Sequence, residues 1–144
     1  MSYVNIWVHA VWTTKRREPV LNKKARFQVF KHIKEISVLK GYHVNFINGV
    51  ENHVHCLISM NATGSISTLM NNIKGESSKW VNDNKILKGY FDWQDEYYAV
   101  SVSPHEVPKV RNYIRNQEKH HSNSTFEAEK RSLFGSDNQS PAKP

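Results

Sequence analysis

Asn52-His53-Val54-His55-Cys56-Leu57-Ile58-Ser59 alternates, with Val54, Cys56 and Ile58 interleaved with His53, His55 and Leu57. That is the period of a strand, in which every second side chain points to the same face. His53 and His55 therefore share one face, about 7 Å apart along the strand. Two imidazoles at that spacing can hold one metal ion, provided that a third ligand comes from elsewhere and positions stay open for substrate. Alone, two alternating histidines are more commonly surface or hydrogen-bonded groups. The rest of the chain has to decide between the two readings.

Upstream, residues 43 to 50 form a second alternating run, with Val44 and Phe46 set against Asn45 and Ile47. The short connection Gly49-Val50-Glu51-Asn52 joins it to the histidine strand as an antiparallel hairpin. Before it, Ala25, Val29, Ile33, Ile36 and Leu39 recur at helical spacing, with Asn22 placed to cap the start and Gly41 to close the end. Lys24, Lys31 and Lys34 fall on the opposite face. A first strand is read from Val4, Ile6, Val8, Ala10 and Trp12, which alternate with Asn5, Trp7, His9 and Val11. It runs into the basic loop Thr13-Thr14-Lys15-Arg16-Arg17-Glu18-Pro19, a place suited to phosphate contacts.

Downstream, Ile66, Leu69, Ile73, Trp80 and Val81 predict a second amphipathic helix, and Gly75 within it predicts a bend or a close backbone approach. Tyr98, Val100 and Val102 mark a fourth strand. Ser103-Pro104-His105-Glu106 has the form of a capping box with proline at the first helical position. Pro108 removes a backbone donor one turn in, so the regular helix is expected to settle after it. Ser124-Thr125-Phe126-Glu127 predicts one more short helix to about Leu133, and residues 135–144 are expected to be a disordered tail. Strand, helix, strand, strand, helix, strand is the split β-α-β plan, so the expected fold is α+β and ferredoxin-like (RRM-like). Its antiparallel sheet carries packed helices, with an additional C-terminal helix, and the whole is expected to form a single domain over residues 1–134.

With 144 residues, 38% of them hydrophobic, the chain suits one domain with one core. No apolar run is long enough for a membrane span, and no basic segment followed by an apolar block marks a signal peptide. The single cysteine, Cys56, excludes an intrachain disulfide, sits on the apolar face of its strand and fits a reducing cytoplasm. The net charge of +7 is concentrated: residues 1 to 40 hold nine basic residues against two acidic ones, and the remainder balances. A neutral body with one basic end suits a polyanion, because neutralising phosphates releases their counterions.

The helix after the fourth strand contains Val110-Arg111-Asn112-Tyr113-Ile114-Arg115-Asn116-Gln117-Glu118-Lys119-His120-His121. Tyr113 and Gln117 are four apart and stack on one helix face, at the edge of the Val107, Val110 and Ile114 stripe and so short of full burial. Here the chain resembles the single-tyrosine HUH transposases of small bacterial insertion sequences and their repeat-associated relatives. The resemblance rests on His53-Val54-His55 followed by Tyr113 to Gln117 and His120-His121. It is extended by His9-Ala10-Val11-Trp12-Thr13-Thr14-Lys15, Ile73-Lys74-Gly75 with Ser77-Ser78, and Trp93-Gln94 before Tyr97 and Tyr98. It covers roughly residues 3 to 121.

The resemblance implies a ferredoxin-like fold and a DNA transposase that cleaves and rejoins single-stranded DNA at hairpin-bearing ends. Tyr113 would be the nucleophile, forming a 5'-phosphotyrosine link and freeing a 3'-hydroxyl. His53, His55 and Gln117 would hold Mg2+ or Mn2+, although two imidazoles and an amide have greater intrinsic affinity for zinc or nickel. Lys15, Arg16, Arg17 and Lys74 would contact DNA phosphates. A homodimer is implied, with Tyr113 acting in its own subunit or in trans, in the bacterial cytoplasm and at the nucleoid when on DNA. A phenol with pKa about 10 is only about 0.1% ionised at neutral pH, a deficit near 4 kcal/mol for the attacking form, which a nearby cation would offset.

Other classes compete. A non-catalytic RNA-recognition module shares the fold and a basic flank, but it relies on exposed aromatics on its central strands, where this chain offers His53, His55 and Leu57. A two-histidine phosphodiesterase expects two related histidine strands, and only one is present. A domesticated relative that keeps the strand-transfer chemistry without mobilising its own element would carry the same residues.

Overall fold

The computed structural model describes residues 2–123 and 125–135. Four strands, β1 (Ile6–Thr13), β2 (His43–Val50), β3 (His53–Met60) and β4 (Tyr98–Val102), form one sheet in the order β2-β3-β1-β4. Every pairing is antiparallel. Helix α1 (Lys23–Leu39) joins β1 to β2 and helix α2 (Ile66–Asp83) joins β3 to β4, which is the ferredoxin-like order. Three further helices follow β4: α3 (Val107–Arg115), α4 (Gln117–Asn123) and α5 (Phe126–Phe134).

Strand β3 is central, and its alternation sorts the two faces. Val54, Cys56 and Ile58 pack with Val29, Phe30 and Ile33 of α1 and Leu69, Met70 and Ile73 of α2. Leu57, on the histidine side, packs with Val107 and Ile114 of α3 and Val102 of β4. Both faces of the sheet are thus covered, which explains why all six residues from His53 to Ile58 are buried. Buried among apolar side chains, Cys56 has its thiol pushed well above the usual range.

The helix caps follow the sequence. Asn22 Oδ1 accepts from the Ala25 amide at 3.0 Å, and Gly41 closes α1 at φ 80°. Thr125 Oγ1 accepts from the Ala128 amide at 3.2 Å and starts α5. Strand β1 begins at Ile6, leaving Val4 outside it and 41% exposed. The basic loop is a 3-10 turn (Lys15–Arg17) in which Arg16 and Arg17 adopt φ 57° and 55°.

Several expectations are corrected. Leu39 is 81% exposed, and Arg26 takes a buried place on α1 instead, donating to the Leu21 carbonyl and to Glu118. Helix α2 runs unbroken through Gly75, where an added Cβ would meet open space, so that glycine marks neither a bend nor a close approach. The Ser103 side chain forms no capping bond; a 3-10 turn (Pro104–Glu106) leads into α3, which starts at Val107 and tolerates Pro108 because the first-turn amides have no intrahelical acceptor. The expected single helix through His121 breaks at Asn116, whose φ −97° and ψ 27° end α3. The tail expectation for residues 136–144 falls outside the described residues.

Gly49 makes the close approach that Gly75 does not. It pairs with Val54, and a Cβ there would sit 2.3 Å from the His53 carbonyl oxygen. Backbone cannot yield as a side-chain tip can, so Gly49→Ala is expected to cost about 3 kcal/mol. Denaturant unfolding would read this as a lower midpoint at unchanged slope.

Candidate active site

Strand β3 carries His53 and His55 to the face covered by α3, α4 and α5, where both are fully buried. Helix α3 delivers Tyr113, whose ring lies 5.8 Å from that of His55. Across the break at Asn116, α4 delivers Gln117, which is fully buried instead of lying at the stripe's edge. The break redirects the chain so that His120 stacks on Tyr113 at 4.5 Å and His121 reaches His53 at 4.3 Å. These two histidines therefore line the site.

The residue that ties the group together is Glu129 of α5. Its Oε1 lies 3.1 Å from His53 Nε2, 2.8 Å from His55 Nε2 and 3.4 Å from His121 Nε2. Its Oε2 accepts from the Tyr113 hydroxyl at 2.5 Å and from Gln117 Nε2 at 3.4 Å. Sequence reasoning predicted α5 but did not single out Glu129. The available signal was an acidic residue in phase with Phe126 and Leu133, on what would otherwise be the helix's apolar face.

The electrostatics of this cluster suit a cation. Burial outweighs other influences at His53 and lowers its pKa to about 4, and it lowers that of His55 too. A neutral His53 has one proton to give, yet its Nδ1 faces Asn52 Oδ1 at 2.8 Å and its Nε2 faces Glu129 Oε1. Gln117 Oε1 is buried with no hydrogen-bond partner among the described residues. Ligand atoms of His53, His55 and Glu129 all lie within 4.8 Å of one another. Two imidazole nitrogens, a carboxylate and an orphaned amide oxygen form a donor set that fits a divalent ion.

Glu129 also controls the phenol. Burial and the hydrogen bond to Glu129 push the Tyr113 pKa up, so this arrangement holds the proton on the tyrosine. Burial alone would raise the Glu129 pKa, but the hydrogen bonds it shares with His121, His53 and His55 outweigh that and hold it below the usual carboxylate range.

These shifts predict the metal-free protein's response to acid. His9 is lowered to about 3, mainly by burial, and His53 to about 4. Between those values and the ordinary 6.5 the unfolded chain binds the extra protons, so stability falls as pH falls. Glu129, depressed in the fold, loses its contribution in the same direction at lower pH. Thermal unfolding in EDTA is expected to lose about 1.4 kcal/mol per pH unit for each such histidine below pH 6.5. A melting temperature flat from pH 7 to 5 would contradict the neutral, buried assignment.

The basic turn sits at the margin of the cluster. Arg17 forms an ion pair with Glu127 and lies over the Phe126 ring at 4.7 Å, and that ring lies 4.8 Å from His53. Lys15 and Arg16 line a cavity of about 630 Å³ shared with the segment 86–92. Lys74 is part-buried, which lowers its pKa, and donates to the Asp95 and Glu96 carbonyls at 2.7 and 3.3 Å. It stitches α2 to the loop before β4.

A sheet that presents a His-x-His pair, faced by a helix-borne tyrosine, defines a class of enzyme, and the sequence places the chain within it. The profile of the IS200-like transposases matches residues 2–117, and the chain belongs to that family. Among curated proteins none matches the chain. In solved structures, a candidate transposase from Deinococcus radiodurans R1 is 24% identical with a TM-score of 0.65, over 81% of this chain and 95% of that one. A REP-associated tyrosine transposase bound to a REP hairpin superposes with a TM-score of 0.61 at 17% identity, over 100% of this chain and 96% of its own. Both likenesses support the fold. No helix among the described residues is long and apolar enough to cross a membrane.

Proposed function

We propose that this transposase cleaves and rejoins single-stranded DNA at hairpin-bearing ends through a covalent 5'-phosphotyrosine intermediate at Tyr113. The observation that carries this reading is the convergence of Tyr113, His53, His55 and Gln117 on the Glu129 carboxylate. A cation held at that point would lie beside the Tyr113 hydroxyl, and its charge would draw a scissile phosphate to the nucleophile. The Tyr113 oxygen attacks phosphorus as its hydroxyl proton is lost, the P–O bond to the 3'-oxygen breaks and that oxygen takes up a proton, and the protein keeps the 5'-phosphate. The freed 3'-hydroxyl can reverse the step on another strand.

His53, His55 and Gln117 would hold Mg2+ or Mn2+, with Glu129 a further oxygen donor. Such an ion supplies charge neutralisation at the phosphate oxygens and stabilises the leaving 3'-oxygen. His53 and His55 stay neutral at physiological pH and so present lone pairs instead of competing positive charge. Lys15, Arg16, Arg17 and Lys74 contact DNA phosphates, with Lys74 held by the Asp95 carbonyl.

Moving a segment requires two cuts, and one tyrosine per site makes a homodimer the economical assembly. Within one chain Tyr113 already meets its own histidines, so two cis sites are expected. Mixing Tyr113→Phe with His53→Ala protein is therefore expected to give no adduct on a denaturing gel with single-stranded DNA from the gene's flanks. Restored adduct would show that the tyrosine helix is exchanged between subunits.

A further inference from the structure

The histidine on β1 is unused by the reaction just described, and its position gives it a role. His9 is 2% exposed, and its Nε2 lies 2.8 Å from His55 Nδ1. The rings are 5.1 Å apart, and His9 also lies 6.2 Å from the Tyr113 ring. Register places His9 opposite Leu57 on β3 and Val100 on β4, so two strands hold its backbone. We infer that His9 is a positioning residue that holds the His55 ring through Nδ1 in either tautomer, donating to it without metal and accepting from it with metal.

The inference rests on the metal centre proposed above, and it follows from counting protons. Without a cation, His55 Nε2 faces the Glu129 carboxylate at 2.8 Å, a contact that requires Nε2–H. Neutral His55 then has a bare Nδ1, which must accept, so His9 donates from Nε2. To bind an ion through Nε2, His55 must carry its proton on Nδ1 instead. Among the described residues the hydrogen-bond partner of that nitrogen is His9 Nε2, which would then accept, with the His9 proton on its own Nδ1. Each ring keeps one proton throughout, so the exchange moves two protons and changes no charge. An imidazole can play both parts because its two nitrogens trade roles; partners of this kind typically fix a ligand's orientation and basicity.

The test pairs His9→Phe, which keeps a ring but removes both nitrogens, with His9→Gln, whose amide can donate or accept. Calorimetric titration with Mn2+ and with Zn2+ is expected to show affinity about 10- to 100-fold weaker for His9→Phe and within a few fold of wild type for His9→Gln. Nitrogen-15 NMR of the unaltered protein provides a second readout that no folding defect can mask. His9 should be protonated at Nε2 in EDTA and at Nδ1 in the Zn2+-loaded protein. Equal metal affinity in wild type and His9→Phe, or a His9 tautomer indifferent to Zn2+, would overturn the role of His9 and leave the metal centre standing. A wild-type chain that binds neither ion would overturn both.

Discussion

Tyr113→Phe is expected to abolish covalent protein–DNA adduct while leaving the fold and DNA binding nearly intact. The phenol oxygen is the only atom removed. Tyr113 also keeps its packing, since its ring is half-buried against the Leu57, Val102, Val107 and Ile114 cluster and stacks on His120. The lost partner, Glu129 Oε2, still has Gln117 Nε2 at 3.4 Å. A loss of one hydrogen bond to a carboxylate costs about 2 kcal/mol of stability at most, too little to explain an absent product. Persistence of adduct in Tyr113→Phe would move the nucleophile elsewhere. With Tyr97 and Tyr98 preceding or opening β4, such a result could be traced by the same substitution at those residues.

His55→Ala should have the second largest effect, because it removes one of two imidazoles and exposes the proton shortage of the cluster. Metal affinity is expected to fall by more than about 100-fold, beyond the usual effect of losing an outer partner. The stabilisation conferred by metal reads this directly: at about 100 times the dissociation constant, an ion adds about 2.7 kcal/mol to wild type, and the variant should gain almost none at the same concentration. His9 Nε2 and Glu129 Oε1 also lose their shortest partners, at 2.8 Å each, inside a buried region. The metal-free variant is accordingly expected to be about 2 to 3 kcal/mol less stable. Full metal stabilisation in His55→Ala would place the ion elsewhere.

Much of this site could be read from the chain because local periodicity encodes it. Two histidines at period two must share a face, and a tyrosine and glutamine four apart on a helix must neighbour one another. What period cannot supply is the turn of the chain at Asn116, where no glycine or proline announces a break and the helix end is set by how α3 and α4 pack on β2. Asn48 Nδ2 on β2 donates to the carbonyls of Ile114 and Arg115 at 3.0 and 3.1 Å, taking acceptors that would otherwise continue the ladder. Arg26 misleads for a related reason: on α1 it counts as one more surface cation until Glu118, 92 residues away, supplies its partner.

Glu129 was the least legible residue. It stands 74 residues from His55, in a helix rich in charges, and only its phase with Phe126 and Leu133 separates it from solvated neighbours such as Glu127. Only the packing of α5 over the sheet, with Phe126 against His53 and Phe134 near His9, brings its carboxylate to the tyrosine. The same packing places the Tyr113 hydroxyl against that carboxylate.

The central claim is that Tyr113 takes the 5'-phosphate of a cut strand, and end-label transfer tests it most directly. Single-stranded DNA from the two flanks of the gene is labelled at either the 5' or the 3' end and incubated with the protein in Mg2+ or Mn2+. The account predicts that the 3'-end label migrates with the protein on a denaturing gel, that the 5'-labelled fragment runs free with an extendable 3'-hydroxyl, and that mass spectrometry places the nucleotide on Tyr113. Transfer of the 5'-end label would reverse the polarity of the chemistry, and binding without covalent transfer of either label would contradict the account.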